Sequence, residues 1–315
     1  MSQPTLMLLL SEVWTMNDSR DMRGLVDLAP VAEKAGVNGI MIGEHVVMGP
    51  NAGCDGVPEN PRDWLGERTH NPAVPHPNGL HLLSAMAGVT SNIRLLAAAL
   101  ISPLRHPLVV GKELVTTDLI SEGRLIFLPS VSWQEEEYQA LNVPYHKRGE
   151  ILDEQLEIWE KAWRDEQISY HGKHYDFDDI FFEPKGYRTT GPQTWVGGAK
   201  LIAPTLRRLV RYASGYFPVL PPTKDDIERI SHALTSAGRT LDEIELSMLV
   251  GIDTPFADAS NVKDLGPALD NTQEHMANGV TNFIVKPSQY IDDRKQLGDF
   301  CRDALAGLQE RARNI

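Results

Sequence analysis

Eight short apolar runs recur along the chain, and each is followed by a longer segment whose apolar residues fall at helical spacing. They are Thr5 to Leu10, Asn38 to Gly43, Ile93 to Ile101, Arg124 to Val131, Gln193 to Gly197, Ser214 to Pro218, Glu243 to Gly251 and Asn282 to Lys286. Continuous apolar runs suit strands buried on both faces, which is the situation of parallel strands covered by crossover helices. Eight such units predict a closed (β/α)8 TIM barrel, an α/β fold, with residues 1–315 as a single domain. The spacing predicts one helix over Asp21 to Gly36, ended by the glycine, and another over Asp225 to Gly238. Two stretches exceed a minimal barrel. Val46 to Asn78, rich in Pro, Gly and Asn, follows the second strand, and Arg164 to Gly191 separates the fourth and fifth units. Within the latter, Ile168 to Phe177 reads as two short strands around the Gly172-Lys173 turn.

Charge and cysteine content narrow the function classes. Thirty Lys and Arg against 43 Asp and Glu leave a formal net charge of −13, which on average repels nucleic acid and anionic membrane surfaces. The apolar run at Leu6 to Leu10 is too short to span a bilayer. Cys54 and Cys301 lack metal-ligand or C-x-x-C spacing, so free thiols, a reducing cytoplasmic location and no metal centre are expected. No G-x-S-x-G elbow, Walker loop or H-E-x-x-H helix is present, which leaves hydrolase, nucleotidase and zincin chemistry without support.

A barrel of this kind builds its active site from strand C-termini and the loops that follow them. Gly197-Gly198, followed by Ala199 and Lys200, ends the fifth strand and is expected to open the helix that follows. Backbone N–H groups there, free of Cβ and close to a helix N-terminus, suit a phosphate. Arg207, Arg208 and Arg211 make the surroundings the most basic in the chain; the plain alternative is a tight turn with solvated cations. Glu44-His45 directly follows the second strand, and an imidazole over the barrel mouth suits proton transfer; a histidine satisfied by local backbone is the alternative. His106 reads as loop-shaping, while His70, His76 and His81 are irregularly spaced among prolines, a poor pattern for metal ligands.

Together these strings resemble the bacterial-luciferase-like superfamily of flavin- or F420-dependent oxidoreductases. The likeness is carried by Ala32 to His45, Pro103-Leu104-Arg105-His106-Pro107, Leu119 to Leu125, Tyr138 to Gly149 and Gly191 to Gly198, in that order, and covers nearly the whole chain. It implies a luciferase-like TIM barrel that binds FMN or coenzyme F420 noncovalently, with the ring over the strand C-termini and the phosphate at Gly197-Gly198. His45, with Glu44 beside it, would stand near the reactive edge, and Trp133 would wall the pocket. Where the family usually has a glycine-rich run after the fourth strand, this chain has Leu128-Pro129-Ser130-Val131-Ser132-Trp133, so Ser130 and Ser132 would face the cofactor in place of glycines. Some F420 enzymes of the family have an acidic proton donor where Trp133 falls, which argues against a glucose-6-phosphate-dehydrogenase-like reaction. Many F420-dependent members have a non-proline cis peptide at the end of the third strand; counting back from Ser102-Pro103 places it at Ala99-Leu100.

The resemblance further implies a small organic substrate, a separate reductase as supplier of reduced cofactor, and a homodimer, with no nucleic-acid or membrane partner. Three readings follow: a monooxygenase using reduced FMN, an F420-dependent hydride-transfer enzyme, and a flavin-binding protein without catalysis. The insertion Val46 to Asn78, with Trp64, is expected to close the pocket against water.

Overall fold

The computed structural model describes residues 3–63 and 66–315. Among them, eight parallel strands close a barrel. In chain order the strands are β1 (Thr5–Leu9), β2 (Gly39–Ile42), β3 (Arg94–Leu100), β4 (Leu125–Pro129), β5 (Gln167–His171), β6 (Asp176–Phe181), β7 (Gln193–Val196), β8 (Gly215–Tyr216), β9 (Glu245–Leu249) and β10 (Asn282–Val285). The barrel runs β1-β10-β9-β8-β7-β4-β3-β2, and β5 and β6 form a separate two-stranded sheet. Each barrel strand lies inside one of the eight apolar runs.

Alternation along the strands explains the unbroken apolar runs. In β1, Leu6 and Leu8 face the layer beneath the helices while Met7 points into the barrel, as a repeat of two residues requires. The interior is filled by Met7, Met41, Leu96, Ala98, Ile126, Leu128, Trp195 and Ile284. It is a packed core, and ligands are confined to the mouth.

The helix expected over Asp21 to Gly36 is broken into Met22–Val26 and Leu28–Lys34, with Asp27 ending one and starting the other. Pro30 is the cause: its ring nitrogen has no hydrogen to donate to the Val26 carbonyl, and the ring crowds that carbonyl. Gly36 adopts φ 91° beyond the second helix, as expected of a glycine cap. The second expected helix spans Lys224–Ser236, opened by a reciprocal capping box between Thr223 and Asp226.

The later insertion holds the expected hairpin, β5 antiparallel to β6. Its turn is fastened to the helix Arg148–Arg164 by Glu154, whose carboxylate accepts from the backbone N–H of Lys173 (2.8 Å), His174 (3.0 Å) and Tyr175 (3.2 Å). The described part of the first insertion has a 3-10 turn at Pro50–Gly53. Hydrogen bonds anchor it to the barrel: Trp14 Nε1 donates to the Pro75 carbonyl (3.1 Å), Asn60 Nδ2 to the Asp258 and Asn261 carbonyls (3.0 Å each), and Gln289 Nε2 to the Arg62 carbonyl (3.1 Å). Trp64, expected to help exclude water, lies outside the described residues. No helix among the described residues is long and apolar enough to cross a membrane.

Candidate active site

The C-terminal ends of the strands present an apolar floor. Leu9, Ala99, Phe217 and Leu249 are partly buried and pack on the barrel-filling cluster. Ala99 is therefore at the mouth, whereas Leu100 is buried in the outer layer, and its contribution at this end is a carbonyl that accepts from the Ser130 N–H at 2.8 Å. The non-proline cis bond lies between Ala98 and Ala99, one residue before the expected Ala99-Leu100. The β3–β4 ladder steps from Ala97 opposite Phe127 to Leu100 opposite Pro129, so the irregularity falls on Ala98 and Ala99.

Glu44 and His45 diverge. The Glu44 carboxylate is almost fully buried and receives both terminal nitrogens of Arg105, at 2.7 and 2.8 Å, together with the Ile101 N–H at 3.0 Å. Burial works against the Arg105 charge, but the pairing with Glu44 outweighs it and raises the guanidinium pKa. Glu44 thus clamps the loop after β3 to the end of β2. His45 instead turns toward Glu137, with Nδ1 3.2 Å from Oε2, and its ring faces three others. Centroid distances are 5.2 Å to His76, 6.3 Å to His70 and 6.1 Å to Trp133, and His70 lies 5.4 Å from Trp133.

The first insertion brings His70 and His76 to this cluster, and the turn after β1 brings Glu12. His76 Nε2 lies 3.3 Å from Glu12 Oε1, near enough for attraction though not aligned as a hydrogen bond. Glu12 Oε2 lies 3.5 Å from Lys286 Nζ. Burial pushes the Glu12 carboxyl up, but Lys286 and the three imidazoles outweigh it and leave the pKa lowered. Burial lowers the His76 and His70 pKa values, against the attraction of Glu12. Sequence reasoning missed this convergence, and it missed Glu137. The acidic run Glu135-Glu136-Glu137 at the start of a helix reads as a solvated first turn, yet Glu137 is fully buried.

The loop after β4 holds its shape through side chains that replace glycine. Ser132 has φ 54°, a left-handed conformation that glycine tolerates best, and its N–H donates to Ser130 Oγ at 3.1 Å. Tyr138 donates to the Val131 carbonyl (2.6 Å) and Tyr145 to the Trp133 carbonyl (3.0 Å). A cavity of about 750 Å³ opens beside this loop, lined by Ser132, Trp133, Gln134, Tyr145 and Arg148 with Asn51 and Arg68 opposite. Its size suits a small-molecule ligand. Arg148 stacks 3.7 Å from the centroid of the Tyr145 ring and keeps a buried Nε without a hydrogen-bond partner.

At the end of β7 a Cβ on Gly197 would collide with the Phe217 carbonyl, and Gly198 adopts φ 154° with the Lys200 carbonyl oxygen 3.9 Å from where its Cβ would stand. The Gly198 carbonyl accepts from the Val219 N–H at 3.1 Å, while Ala199 and Lys200 are exposed. The helix does not open at the glycines as expected. It spans Ala203–Tyr212, because Pro204 suits the first turn of a helix and the chain needs Lys200 to Ile202 to reach it. Nor do the arginines gather at the turn: Arg208 pairs with Asp153 (2.7 Å) and donates to the Gly149 carbonyl (2.9 Å), and Arg211 pairs with Glu160 (2.8 Å). Those contacts, from Gly149 to Glu160, lay this helix along the helix Arg148–Arg164.

A family model described as luciferase-like monooxygenase matches residues 4–252. The chain belongs to that family. Among curated relatives, an uncharacterized protein of Mycobacterium tuberculosis is 28% identical over 172 residues, 54% of this chain and 59% of that protein. The FMNH2-dependent dimethylsulfone monooxygenase of Pseudomonas putida is 26% identical over 122 residues, 38% of this chain and 33% of that enzyme. The chain thus spans roughly half or less of the length of the curated relatives it matches. In structure, the coenzyme F420-dependent tetrahydromethanopterin reductase of Methanopyrus kandleri superposes with a TM-score of 0.69 at 16% identity, covering 98% of both chains. That likeness is one of fold.

Proposed function

We propose that this luciferase-like protein is an oxidoreductase that binds FMN or coenzyme F420 noncovalently at the barrel mouth and acts on a small organic substrate. The observation that carries the reading is the juxtaposition, at one end of the barrel, of the Cβ-free turn at Gly197-Gly198 with the apolar floor around Ala99. A planar ring fits the floor, and a phosphate fits the exposed backbone from Gly198 to Lys200. When bound, a reduced flavin or deazaflavin supplies two electrons, as hydride to the substrate or, for a flavin, to oxygen.

The chain's own residues bind, orient and move protons around that group. Ser130 and Ser132 border the ring site, with the Ser130 hydroxyl committed to the Ser132 N–H. Arg148 lines the cavity with its guanidinium stacked on the Tyr145 ring, and Glu67, Glu135 and Glu136 line it too. His45 handles the substrate proton, Trp133 walls the cavity, and Glu44 acts through Arg105 by fixing the loop beneath Ala99. The described part of the first insertion packs its own His70 and His76 against His45 and so limits water there. We infer further that residues 1–315 form one catalytic domain, since both insertions are bonded to the barrel. A separate reductase supplies the reduced cofactor, and the enzyme works in the cytoplasm as a homodimer.

Mixing the protein with reduced FMN and with reduced F420, each with and without oxygen, tests the reading. A monooxygenase shows protein-dependent, oxygen-dependent oxidation of reduced FMN with a candidate substrate oxygenated. A hydride-transfer enzyme turns over F420 without oxygen. Turnover with neither cofactor across a broad screen of small organic substrates would leave a binding protein at most.

A further inference from the structure

The buried carboxylate behind His45 has a geometry that goes beyond anchoring. Glu137 lies on the short helix Glu135–Ala140, which Tyr138 fastens to the loop after β4 through its bond to the Val131 carbonyl. Its Oε1 accepts from the backbone N–H of Val46 at 2.6 Å and faces the Val47 N–H at 3.4 Å, while Oε2 lies 3.2 Å from His45 Nδ1. Glu137 is fully buried, and the His45 side chain keeps 13% exposure. No hydrogen bond to His45 Nε2 is formed among the described residues.

We propose that Glu137 is a positioning residue that fixes His45 as the Nδ1–H tautomer, so that Nε2 is left as the bare proton acceptor of a ring that packs edge-on against His76, His70 and Trp133. The inference rests on the reading of His45 as the proton-handling group and supplies what that reading leaves open, namely which nitrogen acts and in which direction. A carboxylate oxygen is acceptor-only, so the Glu137–Nδ1 contact places the hydrogen on Nδ1, and the neutral ring then has its lone pair on Nε2. Proton transfer from a substrate hydroxyl to Nε2 would leave an imidazolium, which the carboxylate 3.2 Å from Nδ1 stabilises. Because Oε1 of the same group receives the first N–H groups of the insertion, ring orientation and the entry of that insertion are set by one side chain. A neutral carboxyl donating from Oε2 would reverse the bond and put the hydrogen on Nε2.

Long-range proton–nitrogen correlation spectra of histidine-15N-labelled protein, at neutral pH without cofactor, distinguish the two. His45 is assigned by loss of its signals in His45→Ala. The proposal predicts a protonated Nδ1 and a bare Nε2. In Glu137→Gln the amide oxygen can keep the Val46 N–H while its NH2 faces Nδ1, so the tautomer should invert. A bare Nδ1 in the unmodified protein, or an unchanged tautomer in Glu137→Gln, overturns the proposal. If the glutamine variant does not fold, the spectrum of the unmodified protein decides alone. Failure of the protein to bind FMN or F420 would instead sink the cofactor reading and leave the tautomer result standing.

Discussion

Replacing Glu44 by glutamine separates an architectural carboxylate from a catalytic one. Glu44 accepts two hydrogen bonds from Arg105 and one from the Ile101 N–H, with side-chain exposures of 4% for Glu44 and 15% for Arg105. In Glu44→Gln one oxygen remains to accept, while the new NH2 points its hydrogens at a guanidinium that has only hydrogens to offer. Breaking a buried pair by removing one partner costs about 3 to 5 kcal/mol. The partial exposure of Arg105 lets water reach the stranded charge, so the lower end, about 3 kcal/mol, is expected. Urea unfolding followed by circular dichroism should show a lower midpoint at unchanged slope, because the surface exposed on unfolding is the same. The double variant Glu44→Leu, Arg105→Met removes both charges and should be more stable than Glu44→Gln, since apolar replacement of a buried pair is often neutral, with a residual deficit of about 1 kcal/mol or more from the Ile101 N–H left without its acceptor. A Glu44→Gln protein within about 0.5 kcal/mol of the original would refute the clamp and return Glu44 to the list of groups that act on substrate.

Three further outcomes are expected. His45→Ala should lower turnover by on the order of 10²-fold or more with cofactor still bound, the usual loss of a positioned proton-transfer group; full rate in that variant would leave His45 a local packing residue. Gly198→Val should weaken FMN or F420 binding at least about tenfold by equilibrium titration, because φ 154° excludes a β-branched residue and its side chain would stand where the phosphate is expected; unchanged affinity would move the phosphate elsewhere. Burial holds the folded-state pKa of His70 and His76 below the ordinary imidazole value, so the unfolded chain binds more protons and stability rises with pH through that range. This contribution is complete above the unfolded value of about 6.5 and is lost as pH falls toward the folded values. The His70→Gln, His76→Gln variant should show a flatter dependence of unfolding midpoint on pH between about 5 and 7, measured in parallel with the parent; an unaltered slope would mean that the two rings are not held neutral.

How much of this was legible in the sequence depends on how local the causes are. Barrel strands are legible because both faces of each are buried, which leaves continuous apolar runs of the right length. The glycine turn is legible because its backbone requirements exclude other residues. The break at Asp27 had a visible signal in Pro30, which the helical spacing around it masked. His70 and His76 were not legible as site residues: they sit in a stretch without periodicity, and their meeting with Glu12 depends on the path by which that stretch is tied back to the barrel. Glu137 was hidden by its acidic neighbours, since three consecutive glutamates do not reveal which one turns inward. The cis bond fell one residue from its expected place because counting from Ser102-Pro103 assumes a regular ladder, and β3 is irregular between Ala97 and Leu100.

Equilibrium fluorescence titration of the intact protein with FMN and with F420 tests most directly whether the barrel mouth is a flavin or deazaflavin site. A flavin or deazaflavin site requires saturable binding of at least one of the two at one site per chain, weakened in Gly198→Val. Absence of saturable binding for both cofactors up to millimolar concentration would contradict it.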